Sequence, residues 1–152
     1  MSTIALTGKD TAKINGRILN DFSLGDVIAL TFPNDLSVVK TGKNGNSVYA
    51  FNYTGNQCDV SLRLLRGSSD DKFMNNLLAI LKNDPAAFTL MTAEITKNIG
   101  DGAGGITQDT YILSGGTFKK QTEVKENAEG DTEQAEAIYS LVFSNAPRTF
   151  GS

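Results

Sequence analysis

The chain has 152 residues, of which 39% are hydrophobic and 20% charged, a length and composition typical of one globular domain with its own core. Its net charge is −3, which argues against a surface built to grip nucleic acid or an anionic membrane. It contains no histidine and one cysteine, which excludes Ser-His and Cys-His catalytic pairs and an intrachain disulfide. We expect no signal peptide and no membrane span, because no long apolar run is present.

Alternation of apolar and polar residues predicts β-strands along most of the chain. Ile4 and Leu6 open the series, and Val27 to Phe32 is the first long alternation. Further predicted strands cover 48–53, 60–64, 88–99, 110–113, 117–124 and 138–143. The pattern favours an antiparallel β-sandwich or barrel, formed by residues 1–152 as a single domain.

One segment has helical rather than strand periodicity. Ser69-Asp70-Asp71 is typical of a helix start, with a capping hydroxyl and two acids near the positive end of the helix dipole. Pro85 predicts an end near Asn83. We therefore expect one flanking α-helix over about 70–83, covering an open end of the strand layers with the apolar residues Phe73, Met74, Leu77, Leu78, Ile80 and Leu81.

A glycine-rich segment matches the spacing G-x-G-x-x-G through Gly100, Gly102 and Gly105. A dinucleotide site needs a helix that begins directly after such a loop. Here the following residues, ITQDTYIL, predict a strand. A hairpin turn is therefore favoured, and no cofactor is expected.

An acidic loop is predicted at about 123–136. Its acids could bind a hard cation, but their spacing matches no calcium loop, and a solvated face is favoured. A carboxylate-dependent enzyme remains a less favoured alternative; we expect no catalytic residue and no metal, and a half-buried structural role for Cys58. The acids are Glu123, Glu126, Glu129, Asp131, Glu133 and Glu136.

The segment 33–46 predicts a long arm between two strands, 27–32 and 48–53, both of which we expect to belong to the sheet of the subunit. A turn-forming Pro-Asn-Asp sequence is followed by apolar residues that a solvated loop would not need, then by a basic tip with an Asn-Gly turn. Two interpretations stay open: a hairpin folded onto its own domain, or an arm that rests on an adjacent subunit. The contact candidates are Pro33, Asn34, Asp35, Leu36, Val38, Val39, Lys40, Gly42, Lys43, Asn44 and Gly45.

These segments together resemble a family of bacteriophage tail tube proteins, mostly from contractile tails. The resemblance runs in one order through GDVIALTFPND, KTGKNGNSVYA, VSLRLLRGSSDDKFMNNLL, GDGAGGITQDTYILSGGTF and EGDTEQAEAIYSLVFSNAPR, and so covers nearly the whole chain. It implies a non-enzymatic virion subunit, made in the bacterial cytoplasm, that forms six-membered rings stacked into a hollow tube.

The resemblance also implies partners and positions. The arm would reach the neighbouring ring, and sheath, baseplate and tape-measure proteins would bind the tube. DNA would pass through the lumen without specific binding, and no membrane would be involved. Val48, Ala50 and Asn52 carry smaller side chains than the opposite face of their predicted strand, which makes them lumen candidates. The alternative is a tube component of a related contractile injection or secretion system.

Overall fold

The structure is a computed structural model that describes residues 4–6, 10–23, 27–126, 128 and 132–151. Those residues form a mainly antiparallel β fold with one α-helix, which confirms the predicted fold class. The elements are β1 (Ala5–Leu6), β2 (Thr11–Ile14), β3 (Arg17–Ile18), β4 (Ile28–Thr31), β5 (Ser37–Thr41), β6 (Ser47–Phe51), β7 (Cys58–Leu65), α1 (Ser69–Asn83), β8 (Met91–Gly100), β9 (Ile106–Phe118), β10 (Glu123–Val124), β11 (Glu136–Asn145) and β12 (Arg148–Phe150).

Most strands belong to one sheet that curls around a core. Its order is β3-β2-β8-β9-β11-β7-β4, with β1 added to β8, β10 to β11 and β12 to β9. Side chains of β2, β8 and β9 meet those of β4, β7 and β11 in a single apolar interior. Between β2 and β4 a groove of about 420 Å³ is lined by Thr11, Phe22, Ile28, Leu30 and Ile95. The sheet therefore forms a barrel-like body with an open seam.

The core follows from strict alternation along β7 and β11. The inward residues of β7 are buried, from Cys58 to Leu64, whereas the residues between them are only half-buried. In β11 the same holds for Tyr139, Leu141 and Phe143. Cys58 is fully buried rather than half-buried as predicted; burial, with the charge of Asp59 beside it, raises the pKa of the thiol to about 11.

Helix α1 closes one end of the barrel, close to where the sequence places it. The N-cap is Ser68 rather than Ser69, and its hydroxyl accepts from the backbone N–H of Asp71 at 3.2 Å. The Asp71 carboxylate in turn accepts from the hydroxyl of Tyr139 at 2.5 Å. The predicted apolar face is confirmed by buried Met74 and Leu78, and the helix ends at Asn83 before Pro85. Ile80 departs from that face and is exposed.

The glycine-rich segment is the turn between β8 and β9, as predicted. The Asp101 carboxylate accepts from the backbone N–H of Ala103 at 2.7 Å and of Gly105 at 3.0 Å. Strand β9 begins at Ile106 directly afterwards. Since a strand follows, the turn presents no helix N-terminus to a phosphate group.

The predicted acidic loop is shorter than 123–136, because strands take both of its ends. Glu123 lies in β10 and Glu136 in β11, where pairing with neighbouring strands satisfies their backbone groups. Glu126 accepts from the Arg66 guanidinium at 2.5 Å. Glu129, Asp131 and the side chain of Glu133 lie outside the described part of the chain.

Asp70 ties the helix to the segment that precedes β4. Its buried carboxylate accepts from the backbone N–H of Asn20 at 2.6 Å, of Asp21 at 2.9 Å and from Arg17 Nε at 3.1 Å. Burial disfavours the charged form, but the two N–H groups and the guanidinium outweigh it and lower the pKa of Asp70. The carboxylate therefore stabilises the closed end of the barrel while it is ionised.

We expect Asp70→Asn to lower the free energy of unfolding at pH 7 by about 1–3 kcal/mol, because charge-assisted buried bonds are weakened. The folded-state pKa lies below the unfolded value, so the wild-type advantage is complete above about pH 4 and declines as the pH falls through the folded pKa. Urea unfolding at pH 7 and pH 3 measures the change, with the exposed Asp35→Asn as control. An equal difference at both pH values would contradict this role.

Candidate functional site

The arm is a hairpin with a sheet of its own. β5 pairs with β6 in a separate two-stranded sheet, from Ser37 opposite Phe51 to Thr41 opposite Ser47. The expectation that both strands flanking 33–46 join the main sheet is confirmed for 27–32, where β4 pairs with β7. It is wrong for 48–53, because the residues after Asp35 form a strand themselves and take β6 as their partner.

The tip of the arm is the tight turn that its sequence predicts. The backbone N–H of Gly42 donates to the carbonyl of Asn46 at 2.7 Å, and that of Gly45 to the carbonyl of Gly42 at 3.0 Å. Gly45 has φ +88°, a left-handed conformation in which a side chain would be strained. Both Lys40 and Lys43 are exposed near this turn.

Both faces of the arm are apolar and exposed. One face carries Val39 and Tyr49, which are directly paired across the strands, together with Phe51. The opposite face carries Val38 paired with Ala50 and, next to them, Val48. Tyr49 is 76% exposed and Val48 72%. The structure therefore rejects a hairpin folded onto its own domain, and a two-stranded hairpin with no covering layer is marginal in water.

The root of the arm is held by side-chain as well as backbone contacts. The backbone N–H of Asn52 donates to the carbonyl of Leu36 at 2.7 Å, and the side chain of Asn34 donates to the carbonyl of Thr54 at 3.1 Å. The Asn52 side chain accepts from the Thr54 hydroxyl at 2.8 Å. Gly55 is buried directly against the backbone of Leu36. These contacts hold the two chain segments together where they enter and leave the arm.

The contact candidates and the lumen candidates now lie on one element. All eleven contact candidates from Pro33 to Gly45 are exposed in the arm, and their contact with another subunit stays a prediction. Val48 and Ala50 lie in β6 and Asn52 at the root. The expectation that Val48, Ala50 and Asn52 belong to a strand of the main sheet is wrong. That expectation assumed that 48–53 pairs with the main sheet, whereas β6 pairs with β5.

A second projection leaves the same end of the barrel. Strand β9 pairs first with β11 and then, further along, with β12. The β8–β9 hairpin therefore extends beyond the level at which β7 begins. The arm joins the barrel at the same level, whereas α1 follows the other end of β7. Strand β12 was not predicted from the sequence. The residue that could have indicated this strand is Arg148, whose guanidinium donates hydrogen bonds of 2.7 and 2.8 Å to the Asp109 carboxylate of β9. The exposed apolar residues of this projection are Ile4, Leu6, Ile106 and Phe150.

Residues 4–6, 10–23, 27–126, 128 and 132–151 include no group of three or more side chains positioned to hold a metal ion. Glu123 lies beside an open groove of about 180 Å³ that it shares with Arg63, Lys125 and Glu136. Within the same ranges, no helix has the length and apolarity needed to cross a membrane.

No protein-family model matches the chain, and no curated protein matches it significantly. Among solved structures it is similar to the cap of the anti-feeding prophage, the AFP tube-terminating cap. That similarity has a TM-score of 0.61 and 9% identity, over 94% of this chain and 89% of the other.

The chain is also similar to a chain of the PVC sheath-tube complex, an extracellular contractile injection system in its extended state. Here the TM-score is 0.58 and the identity 10%, over 92% of this chain and 87% of the other. At such identities the similarity concerns the fold. The chain therefore has a fold found in a tube-terminating cap and in a sheath-tube complex, which confirms the fold implied by the sequence resemblance.

Gly55→Ala is expected to destabilise the protein by about 1–3 kcal/mol and to change the direction of the arm. An added Cβ would lie 2.7 Å from Leu36 Cα and 2.9 Å from the Asp35 carbonyl oxygen, both backbone atoms that cannot yield independently. Gly42→Ala is the matched control, because its Cβ would meet its nearest neighbour at 3.5 Å. Thermal unfolding and backbone chemical shifts of the arm measure both effects; equal behaviour of the two variants would contradict the packing at the root.

Proposed function

We propose that this protein is a structural subunit of a hollow tube, in which copies form six-membered rings and the rings stack. The observation that carries the proposal is the arm, whose two exposed apolar faces are not covered by the described residues of the chain itself and are typical of a surface that binds another molecule. The fold shared with a tube-terminating cap and a sheath-tube complex supports the same class of assembly. The number six comes from the resemblance to tail tube proteins.

The body of the subunit is suited to ring formation. β4 is the last strand in the order of the main sheet, and an unpaired strand edge tends to pair with another chain. A head-to-tail contact that closes on itself makes a ring, and a second such contact along the axis makes a stack. In the proposed tube, sheet edges join neighbours within a ring and the arm joins one ring to the next.

The proposed cargo of the tube is DNA, ejected into a bacterial host, with sheath, baseplate and tape-measure proteins as partners. The acidic composition supports passage without binding, because lysine- and arginine-rich surfaces hold phosphates strongly. The alternative is a tube component of a contractile injection system, favoured by the similarity to the PVC complex. In either role the proposed subunit is non-enzymatic and needs no cofactor.

Electron microscopy of the purified protein at high concentration tests assembly directly. We expect hollow tubes, or six-membered rings seen end-on, because stacking should cover the apolar arm. A protein that stays strictly monomeric in sedimentation at the same concentration would contradict the proposal. Single rings that add to the end of a tube without elongating would favour a terminating cap instead.

The double variant Val39→Thr with Tyr49→Thr tests the arm. Threonine keeps the strand propensity of both positions but removes the large apolar surface of one face. Burial of side chains such as these contributes about 1.5–3 kcal/mol each, so the critical concentration for stacking should rise at least about tenfold. Sedimentation and negative-stain images measure this concentration, while far-UV spectra confirm the fold.

Ile80→Gln is the matched control for the arm variant. It removes an apolar side chain that is exposed on the outer side of α1. The control should assemble close to the wild-type concentration. An arm variant that stacks as well as the wild type, or a control that fails equally, would contradict a stacking role for the arm.

A further inference from the structure

The two layers of the barrel present outward faces of very different chemistry. On the layer that contains β2, β8, β9 and β12, four threonines lie side by side across four strands. Thr11 is paired with Thr96, Thr96 with Thr110, and Thr110 with Thr149. Their neighbours Ala12, Ala93 and Leu113 are buried, so alternation directs the four hydroxyl-bearing side chains away from the core.

The threonine row continues as an uncharged surface along the strands. The hydroxyl oxygens of Thr96 and Thr110 lie 3.5 Å apart. One step along the strands, the side chain of Gln108 donates to that of Asn98 at 3.3 Å. On this face the described strands carry two charged residues, Lys13 and Glu94, which are opposite in sign and directly paired in the β2–β8 register. We call this surface the threonine face: Thr11, Thr96, Asn98, Gln108, Thr110 and Thr149.

The outward face of the other layer is charged. On β7, Asp59 accepts from Lys119 Nζ at 2.7 Å, and Arg63 lies 3.8 Å from Glu136 of β11. Ser61 lies between the two charged residues of β7 and is paired with Ser140. The charges of this face alternate in sign and are paired with each other, so it can match a protein surface with a complementary charge pattern, whereas most side chains of the threonine face are uncharged.

The strands behind the threonine face include β9, the longest of the described strands, beside β8, which has the same length as β11 of the other layer. β8 has ten residues and β9 thirteen, which corresponds to about 33 Å and 43 Å of extended chain. In the strand registers the last residue of β9, Phe118, lies level with Leu141 of β11, and Met91 of β8 pairs with Gly116 of β9. Both strands therefore extend from the body of the barrel to beyond the start of β7, past the root of the arm.

We propose, on the basis of the proposed tube, that the threonine face lines the lumen and that the charged face points outward. Because the row runs across the strands, copies arranged in a ring would continue it as a band of hydroxyl groups around the bore. Hydroxyl and amide groups stay hydrated and make only weak bonds to a passing phosphate. A band of lysine or arginine would instead bind the duplex in a salt-dependent way.

Cysteine accessibility tests this orientation. Thr110→Cys reports on the threonine face and Ser61→Cys on the charged face; both positions are half-buried in the free subunit. The native Cys58 gives little background, because it is buried and thiol reactivity depends on access and ionisation. Each variant is treated with a small maleimide and with a maleimide coupled to a folded protein, before and after tube assembly.

We expect the small maleimide to label both variants in tubes, since the bore is open to solvent. Assembly should slow the protein-coupled reagent at least about tenfold for Thr110→Cys and less than about twofold for Ser61→Cys, because access limits thiol reaction. If either variant fails to assemble, Gln108→Cys and Ser140→Cys, on the same two faces, replace them.

Two results would overturn the orientation while leaving the tube intact. One is protein-coupled labelling of Thr110→Cys in tubes at the rate of the free subunit, which would place the threonine face outside. The other is loss of labelling by the small maleimide, which would place it in a subunit contact. Wild-type protein that forms no tube in the same images overturns the proposed function itself, and the orientation with it.

Discussion

A β-strand has two faces, and in this protein the chain can bury only one of them. In β7 and β11 every second residue, from Cys58 to Leu64 and from Ala137 to Phe143, is buried in a single core. In the part of the chain that the structure describes, no second layer covers the barrel outside that core except at its end, where α1 packs. The pleat therefore divides the molecule into an interior made by the chain alone and outward faces available for assembly.

The arm differs from the barrel because both faces of its strands are exposed. In β5 and β6 neither face reaches the core, yet the side chains remain those of buried strands. The contacts at the root, between 34–36 and 52–55, hold the two strands of the arm together before any partner arrives. An arm that is already formed has less entropy to lose when subunits join. In the proposed tube, the open seam of the barrel and the projecting arm would supply contacts in two different directions.

Much of the fold follows from local signals in the sequence. The helix needs only its capping hydroxyl, its apolar spacing and Pro85, and the 100–105 turn needs only its glycines and Asp101. The two strands of the arm and their pairing do not follow from local signals in this way. Val38-Val39-Lys40 does not alternate, and a pairing register cannot be read from one strand. The threonine row depends on three registers at once, and its first and last members, Thr11 and Thr149, are 138 positions apart in the chain, so no local pattern reveals it.

The difference between the two ends of the barrel has a further consequence. One end is closed by α1, and the other carries the arm and the β8–β9 projection. Copies joined by a repeated contact between unlike ends must all point in the same direction. The proposed tube would therefore be polar: one terminus would display arms with no subunit to bind, and the other would display the surfaces that bind an arm, with no arm in place. Initiation and termination of its growth would then require proteins of different shape, each recognising one terminus.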